Sequence, residues 1–306
     1  MTQTTGQVIF RSSRQVTVRV ADEEWSCELR GLMRRDGRGT VVVGDVVTVE
    51  PDGPGKGRVM KVHPRRSQLS RRRESGGARE LVVAANIDQV VAVFAARQPK
   101  LKFGALDRVL VAAAYNDLPA LIVINKSDLQ LPAQQRERLD VYPRIGYRVL
   151  EVSAEAQQGV DRLRDELHGR ASVVAGPSGV GKSSLLSLLT GLELRVGEVS
   201  HANEKGKHTT TAVNWYPLPG EPGADAGAAV DTPGFRDYAL WGIEPPHIAP
   251  LMPDLAPFVP RCRFSNCLHL EEPGCGVIAA VEADEVTFER YRSYVGILDS
   301  VLEQRD

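Results

Sequence analysis

Between Gln7 and His63 the apolar residues fall in short runs that alternate with polar ones or cluster in valine: QVIF, QVTVRV, EWSCEL, GDVVTVE and GRVMKV. Gly and Pro separate the runs, as in RGLMRRDGRGT and PDGPGKG, and no helical period intervenes. Successive side chains of a strand point to opposite faces, so this pattern predicts five short strands joined by turns. A small barrel of the OB type accommodates five such strands, and barrels of this type often bind oligonucleotides. Cys27 alternates with Trp25 and Leu29, which assigns it to the barrel core.

After Gly76 and Gly77 the pattern changes to apolar strands alternating with longer helical segments, the signature of a parallel sheet covered by helices. Strands are expected at Leu81 to Ala84, Gln89 to Ala95, Leu121 to Asn125, Arg148 to Val152, Ser172 to Ala175 and Ala228 to Asp231. Helices are expected over Leu106 to Asn116, Pro132 to Val141, Gly159 to His168 and Lys182 to Thr190. From about Ile243 prolines dominate, and the chain then ends in an amphipathic helix. Three-and-four spacing puts Tyr291, Tyr294, Val295, Leu298, Val301 and Leu302 on its apolar face.

At 306 residues the chain exceeds one ordinary domain, and 42% hydrophobic with 25% charged residues is the balance of a globular protein. Wholesale disorder is excluded. Apolar runs such as Val109 to Ala114 fall far short of the roughly 20 residues that span a bilayer, and the N-terminus lacks a signal-peptide pattern. No membrane association and a cytoplasmic location are therefore expected. The net charge of -1 hides an asymmetry: residues 1–79 carry 16 Lys and Arg against 9 Asp and Glu, and the remainder carries 22 against 30. A basic module thus precedes an acidic body, which points to a polyanionic partner. Arg30, Arg34, Arg35 and Arg38, together with the run HPRRSQLSRRRE, are suited to contact phosphates without reading sequence.

Gly176-Pro177-Ser178-Gly179-Val180-Gly181-Lys182-Ser183, followed by Ser184, fits a phosphate-binding loop between the strand SVVA and the helix KSSLLSLLT. Its glycines let backbone N–H groups turn onto phosphates, and the helix N-terminus adds its positive dipole end. Lys182 would reach the β and γ phosphates, and Ser183 would hold magnesium. Asn125-Lys126-Ser127-Asp128 ends the strand LIVIN. An Asp carboxylate accepts two hydrogen bonds from guanine, whereas adenine offers neither donor; a buried Asp128 left unpaired would discriminate by roughly 10⁴ or more. GTP is therefore favoured over ATP. Ser153 and Ala154, after the next strand, supply the backbone that closes over guanine in GTPases. Asp231-Thr232-Pro233-Gly234 would place Asp231 near magnesium and the Gly234 N–H near the γ phosphate.

Ordinary GTPases run phosphate loop, switches, then base-recognition motif. Here NKSD and SA precede the phosphate loop and DTPG comes last, so the domain is read as circularly permuted. Cys262, Cys267 and Cys275 lie within 14 residues, with His269 between the second and third. Such clustering in a cytosolic chain suggests metal rather than disulfides, and three thiolates plus one imidazole make a closed set for structural zinc.

The series NKSD, GPSGVGKSS, HTTT, DTPG and CxxxxCxHxxxxxC resembles the bacterial ribosome small-subunit-dependent GTPase A family over nearly the whole chain. The resemblance implies a late assembly factor, expected to be monomeric, that binds the small ribosomal subunit and its rRNA and leaves after hydrolysing GTP to GDP. It implies an OB-fold RNA-binding domain with basic linker at 1–78, a permuted GTPase domain at 79–245 and a zinc-binding C-terminal domain at 246–306. Magnesium would be held by Ser183, Asp231 and one threonine after His208, with Thr210 chosen over Thr209. Phe235 stands where many GTPases carry the Gln that orients water, and by resemblance His208 takes that role. Two other classes stay open on the residues alone. One is a constitutive RNA-binding module with a structural GTP site; the other is an ATP-dependent kinase, against which NKSD argues.

Overall fold

The computed structural model describes residues 3–11, 15–29, 41–72, 80–194, 213–220, 226–232 and 242–303. The expected five strands are present: β1 (Thr4–Arg11), β2 (Val16–Val20), β3 (Glu23–Leu29), β4 (Val46–Pro51) and β5 (Lys56–Val62). β1 pairs antiparallel with β2 and β4, β2 with β3 and β4 with β5, while β3 runs parallel to β5. The pairings therefore run round a ring β1–β2–β3–β5–β4–β1, a five-stranded barrel. Val8, Val18, Cys27, Val47 and Val59 fill it, all fully buried. Burial pushes the Cys27 thiol up to about 11, so it stays protonated and packs as a small hydrophobe.

The next two strands depart from expectation. β6 (Gln68–Arg72) and β7 (Glu80–Ala85) form a separate antiparallel pair. The segment Leu81 to Ala84 is thus a strand, but its partner is the basic run after the barrel and not the parallel sheet. Leu69 is the one apolar residue in a run dominated by charge, so no apolar alternation marks that run as a strand. This hairpin sits at the joint with the barrel. Asp45, fully buried, receives Arg65 through Nε at 2.7 Å and Nη2 at 3.0 Å, and Asn86 Nδ2 donates to the Gly44 carbonyl at 2.9 Å.

The central sheet then follows in the order β10 (Arg148–Glu151), β9 (Ala120–Asn125), β8 (Gln89–Ala95), β11 (Ala171–Ala175), β13 (Ala228–Asp231) and β12 (Asn214–Pro217). All pair in parallel except β12, an antiparallel strand that sequence patterning missed. β12 also meets β1, with Phe10 opposite Asn214, so barrel and sheet are joined edge to edge. Val90, Ala92 and Phe94 point to one face of the sheet, and Val91, Val93 and Ala95 to the other. Burial on both faces explains why these strands read as continuous apolar runs. Helices α1 (Phe103–Tyr115), α4 (Val160–Leu167) and α5 (Lys182–Thr190) cover the faces much as expected. The expected helix over Pro132 to Val141 is instead two, α2 (Ala133–Leu139) and α3 (Val141–Arg144). Pro143 has no N–H to offer the Leu139 carbonyl, so the ladder breaks there.

The proline-rich stretch forms three short 3₁₀ turns, Pro245–His247, Ala249–Leu251 and Ala256–Arg261. They lead to the cysteine cluster, α6 (Gly276–Glu282) and α7 (Phe288–Leu302). α7 is amphipathic, but its buried residues are Arg290, Ser293, Tyr294, Ile297, Leu298 and Val301. The face is rotated from the expected one because a buried arginine anchors it. Arg290 donates to both oxygens of Asp254, at 2.7 and 2.8 Å, and to Asp107 on α1. The Tyr142 hydroxyl also donates to Asp107, at 2.6 Å, and the guanidinium lies over the Tyr142 ring at 5.2 Å. α7 is thereby fixed against the central domain.

Candidate nucleotide and metal sites

β11 is fully buried and delivers the loop Gly176 to Gly181 to the N-terminus of α5. Glycine is required at both ends of this turn. A Cβ on Gly176 would lie 2.0 Å from the Val93 carbonyl oxygen, and one on Gly181 would lie 2.3 Å from Asn125 Nδ2, with φ of +150° and +91° at the two positions. Lys182 folds over the loop, and its Nζ donates to the carbonyls of Gly176 and Pro177 at 2.7 and 2.8 Å. Ser183 and Ser184 are half-buried in the first turn of α5, and Pro177, Ser178 and Gly179 are accessible at the tip.

The four motif segments lie at the carboxyl ends of β9, β10, β11 and β13, with β8 between β9 and β11. Asn125, at the end of β9, is 1% exposed; its Nδ2 donates to the Val180 carbonyl at 2.8 Å and its Oδ1 accepts from the Ala154 N–H at 3.1 Å. One side chain therefore joins NKSD to the phosphate loop and to the Ser153-Ala154 loop. Lys126 reaches across the same loop and donates to the Gly179 carbonyl at 2.7 Å. Asp128 accepts from the buried Ser153 hydroxyl, which itself accepts from the Ala156 N–H at 3.0 Å. Ser127 donates its N–H to the Val152 carbonyl at 3.1 Å. Contrary to the expectation of a buried base-reading group, Asp128 is exposed at the rim. It lies in a one-turn 3₁₀ segment past the strand end, beyond the core that buries Asn125.

Asp231, at the end of β13, is 4% exposed. Burial raises its carboxyl pKa, while the Lys182 charge and the Thr232 N–H pull it down. The Thr232 hydroxyl contacts the Val174 carbonyl of β11 at 3.5 Å. DTPG and the phosphate loop thus start from paired strands. Gly234, Thr210 and His208 lie outside the described residues, as do Pro233 and Phe235.

Sequence reasoning missed Gln98. Its carbonyl accepts from Lys126 Nζ, and Pro99 Cδ would lie 3.8 Å from a Cβ on Gly179. The segment follows β8, the neighbour of β11, and ligands of open α/β sheets bind at carboxyl ends of such strands; that position was the available signal.

The ligand atoms of Cys262, Cys267, His269 and Cys275 all lie within 4.8 Å of one another. Cys262 Sγ is 3.9 Å from Cys275 Sγ, and His269 Nδ1 is 3.4 and 3.3 Å from those sulfurs. A zinc tetrahedron with bonds of about 2.3 Å to sulfur and about 2.0 Å to nitrogen has S···S edges of about 3.8 Å and S···N edges of about 3.5 Å. The three edges among Cys262, Cys275 and His269 match those values, and Cys267 completes the set within 4.8 Å of the other ligand atoms. The Gly276 and Ile278 N–H groups donate to the Cys262 and Cys275 sulfurs at 3.3 and 3.4 Å; burial raises the Cys275 thiol pKa, and the Ile278 N–H works against that rise. Burial lowers the His269 pKa and so keeps its imidazole in the neutral, metal-binding form. The hydroxyls of Tyr291 and Tyr294 on α7 hold the carbonyls of His269 and Leu268 at 2.7 and 2.8 Å. One feature departs from common metal sites: His269 Nε2 is buried without a hydrogen-bond partner among the described residues.

A family model described as RsgA GTPase matches residues 62–241. A small ribosomal subunit biogenesis GTPase RsgA of Gemmatimonas aurantiaca is 42% identical over 285 residues, covering 92% of this chain and 91% of its own. The protein of the same name from Moorella thermoacetica is 41% identical, covering 91% and 90%. The crystal structure of YjeQ from Thermotoga maritima superposes with a TM-score of 0.77 at 32% identity, covering 98% of this chain and 99% of that one. YloQ, described as a circularly permuted GTPase, gives 0.73 at 28% identity, with 99% and 96% covered. By its motif order, its architecture and this similarity along nearly its whole length, the chain belongs to the RsgA GTPase family.

Proposed function

We propose that this GTPase is a biogenesis factor of the small ribosomal subunit: it binds the subunit, hydrolyses GTP faster there than alone, and leaves once hydrolysis is complete. The observation that carries the nucleotide part is Asn125, whose one amide ties base-recognition, phosphate and SA loops into a single site. In this reading backbone N–H groups of Gly179 to Ser184 receive the phosphates, and Lys182 leaves its loop carbonyls for phosphate oxygens. The guanine edge pairs with Asp128, and the base itself supplies the burial that the exposed carboxylate has in this structure not received from the protein. Ser153 holds that carboxylate in place through its hydroxyl.

Magnesium, held by Ser183, Thr210 and Asp231, would neutralise charge between the β and γ phosphates. Asp231 suits the task, since a cation beside it would favour the carboxylate that burial otherwise disfavours. His208 orients the attacking water and Gly234 meets the γ phosphate. Zinc on Cys262, Cys267, His269 and Cys275 is structural, with no ligand position left for substrate. Domain limits of 1–78, 79–245 and 246–306 go with this reading, as does action as a cytoplasmic monomer. The permuted order gives it a mechanical sense: the chain leaving DTPG runs directly into the module fixed by Arg290.

Turnover of GTP measured with and without purified small subunits tests the proposal. Stimulation by subunits, with GTP bound at least 10³-fold more tightly than ATP, is the expected result. Equal turnover in both conditions would leave a constitutive RNA-binding protein with a saturated nucleotide site.

A further inference from the structure

The acidic body of the protein concentrates positive charge in one cleft. Its volume is about 620 Å³, and it lies where α1 and α2 of the central domain meet α7 of the C-terminal module. Lys100, Lys102, Arg108, Arg138 and Arg292 line it against a single carboxylate, Glu289. None of the phosphate-loop or NKSD residues contributes. Residues 80–306 are net acidic, so five cations facing one another across a module boundary are not explained by overall composition.

Two features beside the charge make the cleft a phosphate site in character. α1 begins there: Lys102 is its N-cap, Phe103 and Gly104 line the wall, and the first turn holds neither an acidic residue nor a side-chain cap. The positive end of a 13-residue helix therefore adds to the Lys and Arg charges. The Arg138 guanidinium carbon sits over the Phe103 ring, 4.3 Å from its centroid, which holds the guanidinium in a defined position at the edge. Gln135 lines the floor, and its buried Oε1 has no hydrogen-bond donor among the described residues.

We infer that this cleft seats the phosphodiester backbone of RNA and is a second RNA contact, separate from the basic barrel module. The inference deepens the proposed function and rests on it for the identity of the RNA, namely that of the small subunit. RNA laid there bridges two modules and presses on the segment before α1. That segment carries Gln98, whose carbonyl already holds Lys126 of NKSD, so the contact adjoins the nucleotide site.

The test is the double variant Lys102→Glu with Arg292→Glu, both residues exposed, alongside a charge-neutral Gln pair as a check on folding. Binding to small subunits and to a mixed-sequence RNA duplex is measured across a salt series. Loss of two phosphate contacts lowers the slope of log K against log salt by about 1.4 to 1.8. Stimulated turnover falls, while GTP affinity and turnover without subunits stay at wild-type values. An unchanged slope on both probes in folded protein overturns the inference. So does a slope that changes on subunits but not on the duplex, which would assign the cleft to an acidic protein. Uptake of a second equivalent of a non-hydrolysable GTP analogue, lost in the variant, would make it a nucleotide site instead and likewise overturn it. If wild-type protein binds the duplex but not subunits, the ribosomal reading fails, and the duplex slope still decides the cleft.

Discussion

Arg290→Met removes the charge that fixes α7 to the central domain while keeping most of the apolar stem. The guanidinium serves two carboxylates, Asp254 through a two-pronged contact and Asp107 through Nη1, and all three side chains are at most 7% exposed. Breaking a buried pair from one side costs about 3–5 kcal/mol, because the remaining charge stays buried. Burial already raises the Asp107 pKa against the pull of Arg290 and Tyr142. Without Arg290 the Asp107 carboxyl rises further above its unfolded value of about 4. A group whose folded pKa is raised confers stability below its unfolded pKa and loses it as pH rises toward the folded one. The variant's deficit against wild type is therefore small near pH 4 and grows by up to about 1.4 kcal/mol per pH unit above that through Asp107. Hydrogen exchange of the α7 and α1 amides reads this locally, which matters because a chain of several modules has no single unfolding free energy. The triple variant Arg290→Met, Asp107→Asn, Asp254→Asn should recover much of the loss and abolish the pH trend. A deficit at pH 7 below about 1 kcal/mol, or one that does not change between pH 4 and pH 7, would refute the account of Arg290 as the anchor.

The remaining predictions concern the sites. Asp128→Asn should weaken GTP and improve xanthosine nucleotides, since the amide donates where the carboxylate only accepts; competition binding reads this, and equal loss of both would argue against base reading. Freshly purified protein should hold one zinc per chain by elemental analysis, and Cys262→Ala should release it together with exchange protection of α6. His208→Ala should leave GTP affinity near wild type and reduce subunit-stimulated turnover by about 10²- to 10⁴-fold, with the factor retained on the subunit; unchanged stimulation would return His208 to an ordinary histidine.

Much of the architecture was legible in the sequence because it is set by local periodicity. Five alternating runs gave the five barrel strands, doubly buried strands showed as apolar runs, and Lys182 to Thr190 is a helix over that span. The motifs were legible for a related reason: strand, Gly-rich loop and helix follow one another along the chain, so the phosphate loop is a local structure. The cysteine cluster was legible because its four ligands fall within 14 residues.

Tertiary structure alone decided what depends on partners distant in sequence. Leu81 to Ala84 reads as a strand of the parallel sheet, but strand pairing is a contest among edges, and β6 supplies it. Asp128 carries a base-reading pattern, yet its exposure depends on how far it stands past the core that buries Asn125. Arg290 breaks the apolar stripe of α7 and would be assigned to solvent on hydropathy. It is buried because Asp254 and Asp107, 36 and 183 residues away along the chain, converge on it. The charge of the cleft likewise arises only when α1, α2 and α7 come together. Period and composition report what one segment prefers; the free energy of a buried charge is fixed by its neighbours in space, and those the linear order does not contain.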